Sequence, residues 1–280
     1  VSNNRGTLYI VATPIGNLED ISLRAIRVLK QVHHIAAEDT RHSRRLLLQH
    51  GIDTPMFALH EHNERQAVKG VLKLLQEEKD VALISDAGTP LISDPGFPLV
   101  RACREAGIRV SPVPGPSALM AALSVSGLPL DSFCFRGFLP RTQAARRDCL
   151  AKLLTANHTQ AYYESSHRIL HALRDLHEVL GAEREICVAR ELTKQYEDIM
   201  QGTTSEVLAM LEKDEMRRRG EFVIVIAGAA PRETDLPPAE AMRVLDVLLG
   251  ELPLKQAASL AARITGEKKN RLYQLALKRR

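Results

Sequence analysis

The sequence predicts an α/β protein made of two α/β lobes followed by a small helical region, and three observations carry that prediction. Short β-branched runs alternate with segments of helical periodicity, glycine- and proline-rich loops follow several of the runs, and from Pro237 onward only helical periodicity remains. The 280 residues, 45% of them apolar, suffice for one large core or two modest ones.

The elements follow in order. Thr7 to Thr13 reads as a strand, Ile21/Ala25/Val28/Val32 recur at helical spacing, and Ile35-Ala36-Ala37 and Met56 to Leu59 read as further strands. A helix with the apolar stripe Val68/Val71/Leu72/Leu75 comes next, then the run Val81 to Ile84, the helical segment Leu99 to Ala106 and the strand Ile108 to Val113. Continuous apolar strands between helices imply a largely parallel sheet covered on both faces. The pattern changes after Pro114-Gly115-Pro116, with a helix at Ser117 to Ser126 and an aromatic strand at Phe133 to Phe135. Strands at Gln160 to Tyr163, Glu185 to Ala189 and Glu221 to Ala227 then alternate with helices at Arg146 to Leu154, Arg168 to Leu180 and Thr204 to Lys213. The domain limits expected are 1–118, 119–232 and 233–280.

In the last region Ala257/Leu260/Ala261/Ile264 share one helical face, Thr265-Gly266 breaks the helix, and Leu272/Leu275/Ala276 share the next. Two short helices about a glycine turn resemble a helix-turn-helix unit. Residues 253–280 hold eight Lys/Arg against the single acid Glu267, leaving 30 basic and 33 acidic residues elsewhere, so the overall charge of +4 conceals a basic end. That segregation favours a polyanion partner, with a solvated basic surface as the alternative.

The four cysteines, Cys103, Cys134, Cys149 and Cys187, form no C-x-x-C pair, which argues against a zinc ribbon or a disulfide framework. The polar start Val1 to Arg5 and the shortness of every apolar run predict a soluble, cytoplasmic protein with no membrane partner. His60-Glu61-His62 and the pair Asp86/Asp94 are too weak a pattern to predict a metal, and none is expected.

Three loops each follow an expected strand: Thr13-Pro14-Ile15-Gly16-Asn17, the stretch Ser85 to Gly96, and Pro114-Gly115-Pro116-Ser117. Ligands of open α/β sheets sit beyond the carboxyl ends of strands, and glycine there lets backbone approach a ligand closely. Neither a phosphate-binding G-x-x-x-x-G-K-[ST] pattern nor a G-x-G-x-x-G after the first strand is present, which removes a nucleoside triphosphatase and weakens a dinucleotide enzyme. Rigid, Pro-flanked loops suit an adenosine-like ligand held by main-chain groups.

The run Leu8 to Leu18, the segment Ala37-Glu38-Asp39-Thr40-Arg41, Ser85 to Gly96, Pro114 to Ser117, Tyr163-Glu164-Ser165, Arg190-Glu191-Leu192-Thr193-Lys194 and Gly220-Glu221 together resemble the ribosomal RNA small subunit methyltransferase I family, within the tetrapyrrole methylase superfamily. The resemblance covers essentially the whole chain. It implies the two-lobed class III methyltransferase fold, a homodimer, S-adenosylmethionine in the cleft between the lobes, and 2′-O-methylation of a cytidine ribose in the decoding region of small-subunit ribosomal RNA. By motif it places Pro14, Ile15, Gly88, Thr89, Ile92, Ser117 and Ala118 of the first lobe, and Tyr163, Glu164, Ala189 and Arg190 of the second, at the cofactor. Two departures from the superfamily's general patterns, the first loop and Gly88-Thr89-Pro90, count against transferring tetrapyrrole-binding residues.

A ribose hydroxyl is a weak nucleophile, so a nearby carboxylate, lysine or histidine is sought to take or polarise its proton. Glu38, Asp39 and Arg41 are the first candidates, and Asp94, Glu191/Lys194 and His60/His62/Glu64 compete with them. Asp39 and Arg41 have a structural alternative as a helix-start interaction. The RNA, free or within the assembled small ribosomal subunit, is expected on Arg141, Arg146 and Arg147 and on Lys268, Lys269 and Arg271, with Arg217-Arg218-Arg219 as a further patch. Two other readings stay open: a tetrapyrrole methyltransferase, and a non-catalytic RNA-binding assembly factor.

Overall fold

The structure is a computed structural model that describes residues 5–60, 62–229 and 239–278. Residues Val1–Asn4 of the polar start, Glu61 between His60 and His62, and residues 230–238 and 279–280 lie outside the described residues. Residues 1–229 form one compact unit and 230–280 a second.

The first lobe runs β1 (Leu8–Val11), α1 (Leu23–Gln31), β2 (His34–Ala37), α2 (Thr40–Gln49), β3 (Met56–Ala58), α3 (Glu64–Gln76), β4 (Val81–Ile84), α4 (Phe97–Glu105) and β5 (Val110–Val113). Its sheet has the order β3-β2-β4-β1-β5 and every pairing is parallel, as continuous apolar runs such as Val81–Ile84 require when both faces are covered. One face is sealed by Ala25, Leu29, Leu46 and Leu47 from α1 and α2, and the other by Val71, Leu75, Leu99 and Cys103 from α3 and α4. Each fully buried leucine or valine among them contributes about 1.5–3 kcal/mol. Ser22 caps α1 by accepting from the Ala25 N–H at 3.0 Å.

The second lobe continues with α5 (Ala118–Val125), β6 (Phe133–Phe138), α6 (Gln143–Ala151), β7 (Thr159–Ser165), α7 (Ile169–Leu180), β8 (Glu185–Arg190), β9 (Asp198–Thr203), α8 (Thr204–Lys213) and β10 (Glu221–Ile226). Its sheet, β6-β7-β10-β8-β9, is mixed: β6 and β7 run parallel, and the other pairs are antiparallel. Thr203 and Glu206 form a reciprocal capping box that starts α8 directly from the end of β9. One face of the sheet packs on α6, α7 and α8 through Leu150, Leu173, Leu176 and Val207, while the other packs on α5 through Leu119, Ala122 and Leu123.

The second unit holds α9 (Ala239–Glu251), α10 (Leu254–Thr265) and α11 (Lys269–Lys278), with Gly266 in the left-handed conformation (φ 75°) ending α10 as the Thr265-Gly266 break predicts. The buried face of α10 is Ala257, Ala258 and Ala261, not the expected Ala257/Leu260/Ala261/Ile264. Ile264 is 64% exposed, because small alanines let α10 lie close to its neighbours while the larger side chains stay at the rim. Two elements had no counterpart among the sequence expectations, namely β9 and the full length of α2.

Candidate functional site

The strands β4, β1 and β5 are neighbours in the sheet, so the three glycine/proline loops that follow them emerge side by side at the same edge. They are stitched together. The Thr13 N–H donates to the Gly88 carbonyl at 2.9 Å and the Gly88 N–H donates back to the Thr13 carbonyl at 3.0 Å, Thr13 Oγ1 donates to the Ser85 carbonyl at 3.2 Å, and Thr89 Oγ1 donates to the Pro116 carbonyl at 3.1 Å. Gly88, at φ 81°, sits where a Cβ would come within 3.3 Å of Ile15 Cγ2 and 3.7 Å of the Pro116 carbonyl oxygen, so the three loops converge on a point that only glycine fits.

A cavity of about 450 Å³ opens over this junction, within the range of small-molecule and cofactor sites. Its lining takes Ile15, Gly88, Thr89, Ile92, Ser117 and Ala118 from the first lobe and Tyr163, Glu164 and Ala189 from the second, which is nine of the eleven residues expected at the cofactor. Of the other two, Pro14 immediately precedes Ile15 but does not itself line the cavity. Arg190 is committed elsewhere, since its Nε donates to the Arg219 carbonyl at 2.6 Å and its Nη1 to the Tyr196 carbonyl at 3.0 Å.

The walls differ in character. On the second-lobe side, β7 ends at the cavity and delivers Tyr163, whose ring meets Phe135 and Phe138 edge-on at centroid distances of 4.8 and 5.7 Å. Glu164 is 2% exposed; its Oε1 accepts from the Ser165 N–H and from Arg168 at 2.7 Å each, while the buried Oε2 has no protein partner. Burial raises the Glu164 carboxyl above its ordinary range, against the lowering effect of the Ser165 N–H and Arg168. An unsatisfied buried carboxylate oxygen in a cavity wall is costly unless a ligand supplies a donor or a positive charge.

The first-lobe side carries three carboxylates, Glu38, Asp86 and Asp94. The Asp86 N–H donates to Glu38 Oε2 at 3.3 Å, and the Asp39 N–H donates to Asp86 Oδ1 at 3.0 Å, which locks the β2–α2 turn to the loop after β4. Asp94 is pushed up to about 6, first by burial and then by the Glu38 and Asp86 charges, while a hydrogen bond with Ser85 works in the opposite direction. The loop that holds it is conformationally strained: Leu91 (φ 76°) and Ser93 (φ 71°) both occupy the left-handed region. Glu64, at the start of α3, accepts from the Gly96 N–H at 2.8 Å and fixes the loop's far end.

Lys194 closes the mouth. Its Nζ lies 2.9 Å from Glu191 Oε1 and 2.8 Å from Glu221 Oε2, and its stem packs over Gly16 of the first lobe, where a Cβ would collide with it. Glu191 (φ 48°) and Thr193 (φ 65°), which precede it in the chain, are again left-handed, so this turn too holds strain beside the cavity.

Of the first candidates for catalysis, only Glu38 lines the cavity. Asp39 is the N-cap of α2, accepting from the Arg41 N–H at 2.8 Å, and this bond is the main cause holding its carboxyl below the ordinary range. Arg41 lines a different groove, beside α2. The arginine patch at the second lobe is corrected in part. Arg141 is exposed, but Arg146 is 4% exposed and spent on Asp175, whose Oδ2 lies 2.6 Å from its Nη2, so it belongs to the interior and not to a phosphate-contacting surface. Arg147 is shared between Asp175 at 2.7 Å and Glu178. Arg217 pairs with Asp198 at 3.2 Å, and Arg218 bonds the Leu211 and Glu212 carbonyls at 2.7 Å each. In the second unit Lys268 and Lys269 are exposed at the start of α11, with Arg271 3.4 Å from Glu267. His60 and His62 stand with ring centroids 6.0 Å apart, and among the described residues no group of three or more metal-ligating side chains occurs.

Phe138, Ser165, Ser166, Leu192 and Phe222 also line the cavity, and nothing in the sequence reading had placed them there. Phe138 pairs in register with Tyr163, so knowledge that β6 and β7 run parallel would have brought it to the same edge.

A two-lobed α/β chain with a cavity over three converging loops defines a protein of the tetrapyrrole methylase class. The family model for Tetrapyrrole (Corrin/Porphyrin) Methylases matches residues 7–208, and that for the RsmI C-terminal HTH domain matches residues 235–280. Among solved structures, a cobalt precorrin-4 methyltransferase of cobalamin biosynthesis superposes with a TM-score of 0.60 at 17% identity, covering 79% of this chain and 94% of the other. A uroporphyrin-III C-methyl transferase from Thermus thermophilus complexed with S-adenyl homocysteine superposes with a TM-score of 0.55 at 18% identity, covering 79% of this chain and 97% of the other. The sequence is far closer to two other proteins, both named ribosomal RNA small subunit methyltransferase I. The one from Escherichia coli O157:H7 is 54% identical over 98% of this chain and 96% of its own length, and the one from Pseudomonas aeruginosa is 55% identical over 98% of each. The chain belongs to the ribosomal RNA small subunit methyltransferase I family, and its fold is the one the resemblance implied.

Proposed function

We propose that the protein transfers a methyl group from S-adenosylmethionine to the 2′-hydroxyl of a cytidine ribose in the decoding region of small-subunit ribosomal RNA. The observation that carries the reading is the cavity over β4, β1 and β5, whose lining combines a glycine-only backbone junction with an unpartnered buried carboxylate oxygen. These residues fit an adenosyl sulfonium. Ile15, Gly88, Thr89, Ser117 and Ala118 would hold the nucleoside by main-chain groups and small side chains, and Glu164 Oε2 offers the negative partner that a cationic donor needs. When bound, the donor supplies an electrophilic methyl on a sulfonium with a neutral thioether as leaving group.

The chain's own residues then have two tasks. Alignment of the ribose oxygen, set by the strained loops around Asp94 and Lys194, supplies much of the rate. Removal of the hydroxyl proton falls to Asp94, because a carboxylate poised near 6 is ionised at neutral pH yet still basic enough to share a proton. Glu38 and Asp86 act beside it by raising its basicity.

The RNA reading rests on the names of the close relatives together with the exposed Arg141, Lys268 and Lys269. The likeness to tetrapyrrole enzymes lies at identities that speak only for the fold. The homodimer of the resemblance is supported by α5, which leaves Met120 55% and Val125 48% exposed although it is apolar but for Ser124. Cytoplasmic residence follows from the RNA substrate, and among the described residues no helix is long and apolar enough to cross a membrane.

The test is incubation with labelled S-adenosylmethionine and small ribosomal subunits that lack the modification, followed by mapping of the label. Label on a ribose 2′-oxygen is expected; label on a base or on protein would overturn the ribose assignment.

A further inference from the structure

Helix α2 displays Arg41, His42, Arg44, Arg45 and Leu48 to solvent and buries Ser43, Leu46 and Leu47. Among the described residues, Arg41, Arg44 and Arg45 make no side-chain hydrogen bond or ion pair. Three guanidinium groups thus share a single exposed face, Arg41 within electrostatic reach of its cap residue Asp39, whereas Arg146, Arg147, Arg168, Arg174, Arg217 and Arg218 each form an ion pair with a carboxylate.

Beside that face lies a second hollow, of about 540 Å³, between α2 and the segment leading into β3. Arg41 and Arg44 stand on its rim, Leu48, Pro55 and Met56 give it an apolar surface, and Asp53 supplies a lone acceptor. Leu48 is 67% exposed, so the surface is open to a partner. Guanidinium forks beside an apolar platform match the two halves of a nucleotide, with phosphate on the arginines and an unstacked base on the apolar side chains. A carboxylate nearby can accept from an exocyclic amino group of a base.

The hollow is joined to the reaction cavity. Glu38 lines the cavity and Thr40 the hollow, so the two are separated by two residue steps, at most about 7 Å of backbone. That turn is held by the Asp39–Asp86 and Asp86–Glu38 bonds and by the Asp39 cap of α2. A strand that presents its ribose in the cavity therefore lays an adjoining nucleotide along α2.

We infer that the groove formed by Arg41, Arg44, Leu48, Asp53, Pro55 and Met56 is a subsite for a nucleotide flanking the methylated one in single-stranded RNA. This deepens the function proposed above and rests on it. It also gives Arg41, first sought as a catalytic group, a place in binding substrate.

The experiment uses the full chain with R41Q/R44Q, with R41K/R44K to retain charge, with L48D, and with R101Q/R104Q on α4 as a control. Steady-state methylation of unmodified small ribosomal subunits is measured across salt concentrations, and S-adenosylmethionine binding by calorimetry reports that each variant is folded. R41Q/R44Q is expected to raise KM about tenfold with kcat kept, and to flatten the dependence of log(kcat/KM) on log[salt] by roughly one to two, as the loss of two phosphate contacts requires. R41K/R44K restores the salt slope, and L48D raises KM without changing it. Unchanged KM and slope in R41Q/R44Q, or an equal loss in R101Q/R104Q, overturns the subsite. Failure of the unaltered protein to methylate the subunits at all would instead sink the underlying function, so the two failures are told apart.

Discussion

The two lobes use their charges in opposite directions. In the second lobe, Asp175 is almost wholly buried and receives bonds from Gln143, Arg146 and Arg147, so that acid and bases of distant sequence neutralise one another inside the structure. In the first lobe, Glu38, Asp86 and Asp94 crowd together in a cavity wall, and the arginines of α2 are exposed on the surface. Opposite charges that meet build a scaffold, whereas like charges brought together raise a carboxyl's proton affinity. The difference teaches that a residue's type does not assign its role; the distance to its nearest opposite charge does.

The contrast can be broken at three places, in falling order of effect. Asp175→Ala removes the partner from a buried guanidinium and is expected to destabilise the protein by about 3–5 kcal/mol, read from the denaturation midpoint. Binding of S-adenosylmethionine below the new midpoint should stay unchanged, and a loss of less than about 1 kcal/mol would contradict the scaffold role. Asp94→Asn should do the reverse, lowering kcat at neutral pH by about 100-fold or more while leaving cofactor binding intact.

The same carboxyl fixes the pH dependence. Because Asp94 must be ionised to accept a proton, the rate should fall as pH drops through about 6, and this limb should vanish in Asp94→Asn. The sign for stability is opposite to that of a paired acid. The folded state holds the Asp94 proton more tightly than the unfolded chain does, so this group costs stability as pH rises from about 4 to about 6, and the asparagine variant should be more stable at pH 7 by about 1–2 kcal/mol. An unaltered melting midpoint at pH 7 would contradict the strained carboxylate. The smallest effect belongs to Asp39→Ala, which removes the cap of α2 and should lower the denaturation midpoint slightly. Activity reduced no more than that loss of order explains would confirm Asp39 as structural; a 100-fold fall in kcat would return it to the chemistry.

Much of this was legible before any coordinates. The loops after β1, β4 and β5 could be picked out because glycine and proline punctuate strand ends, and parallel order then brings them together. The strand β9 was not legible, since Asp198-Ile-Met-Gln-Gly-Thr203 mixes polar and apolar residues in the manner of an edge strand and is fixed only by its register with β8. The helix α2 was obscured by its own arginines, which outnumber the Leu46 and Leu47 that anchor it. Arg146 was misplaced on the surface because the carboxylate that takes it inside stands 29 residues further along. Lys194 could be named as a candidate, but its position at the cavity mouth depends on two left-handed residues and a glycine in the other lobe, which no local pattern encodes.

That last arrangement limits how the molecule can change over generations. The lysine's methylenes occupy the volume a side chain at position 16 would need, so a substitution there forces the Lys194 stem to move aside or to be shortened. Shortening 194 in turn releases Glu191 and Glu221 from their common cation. A change at position 16 is therefore felt at the acids that Lys194 holds.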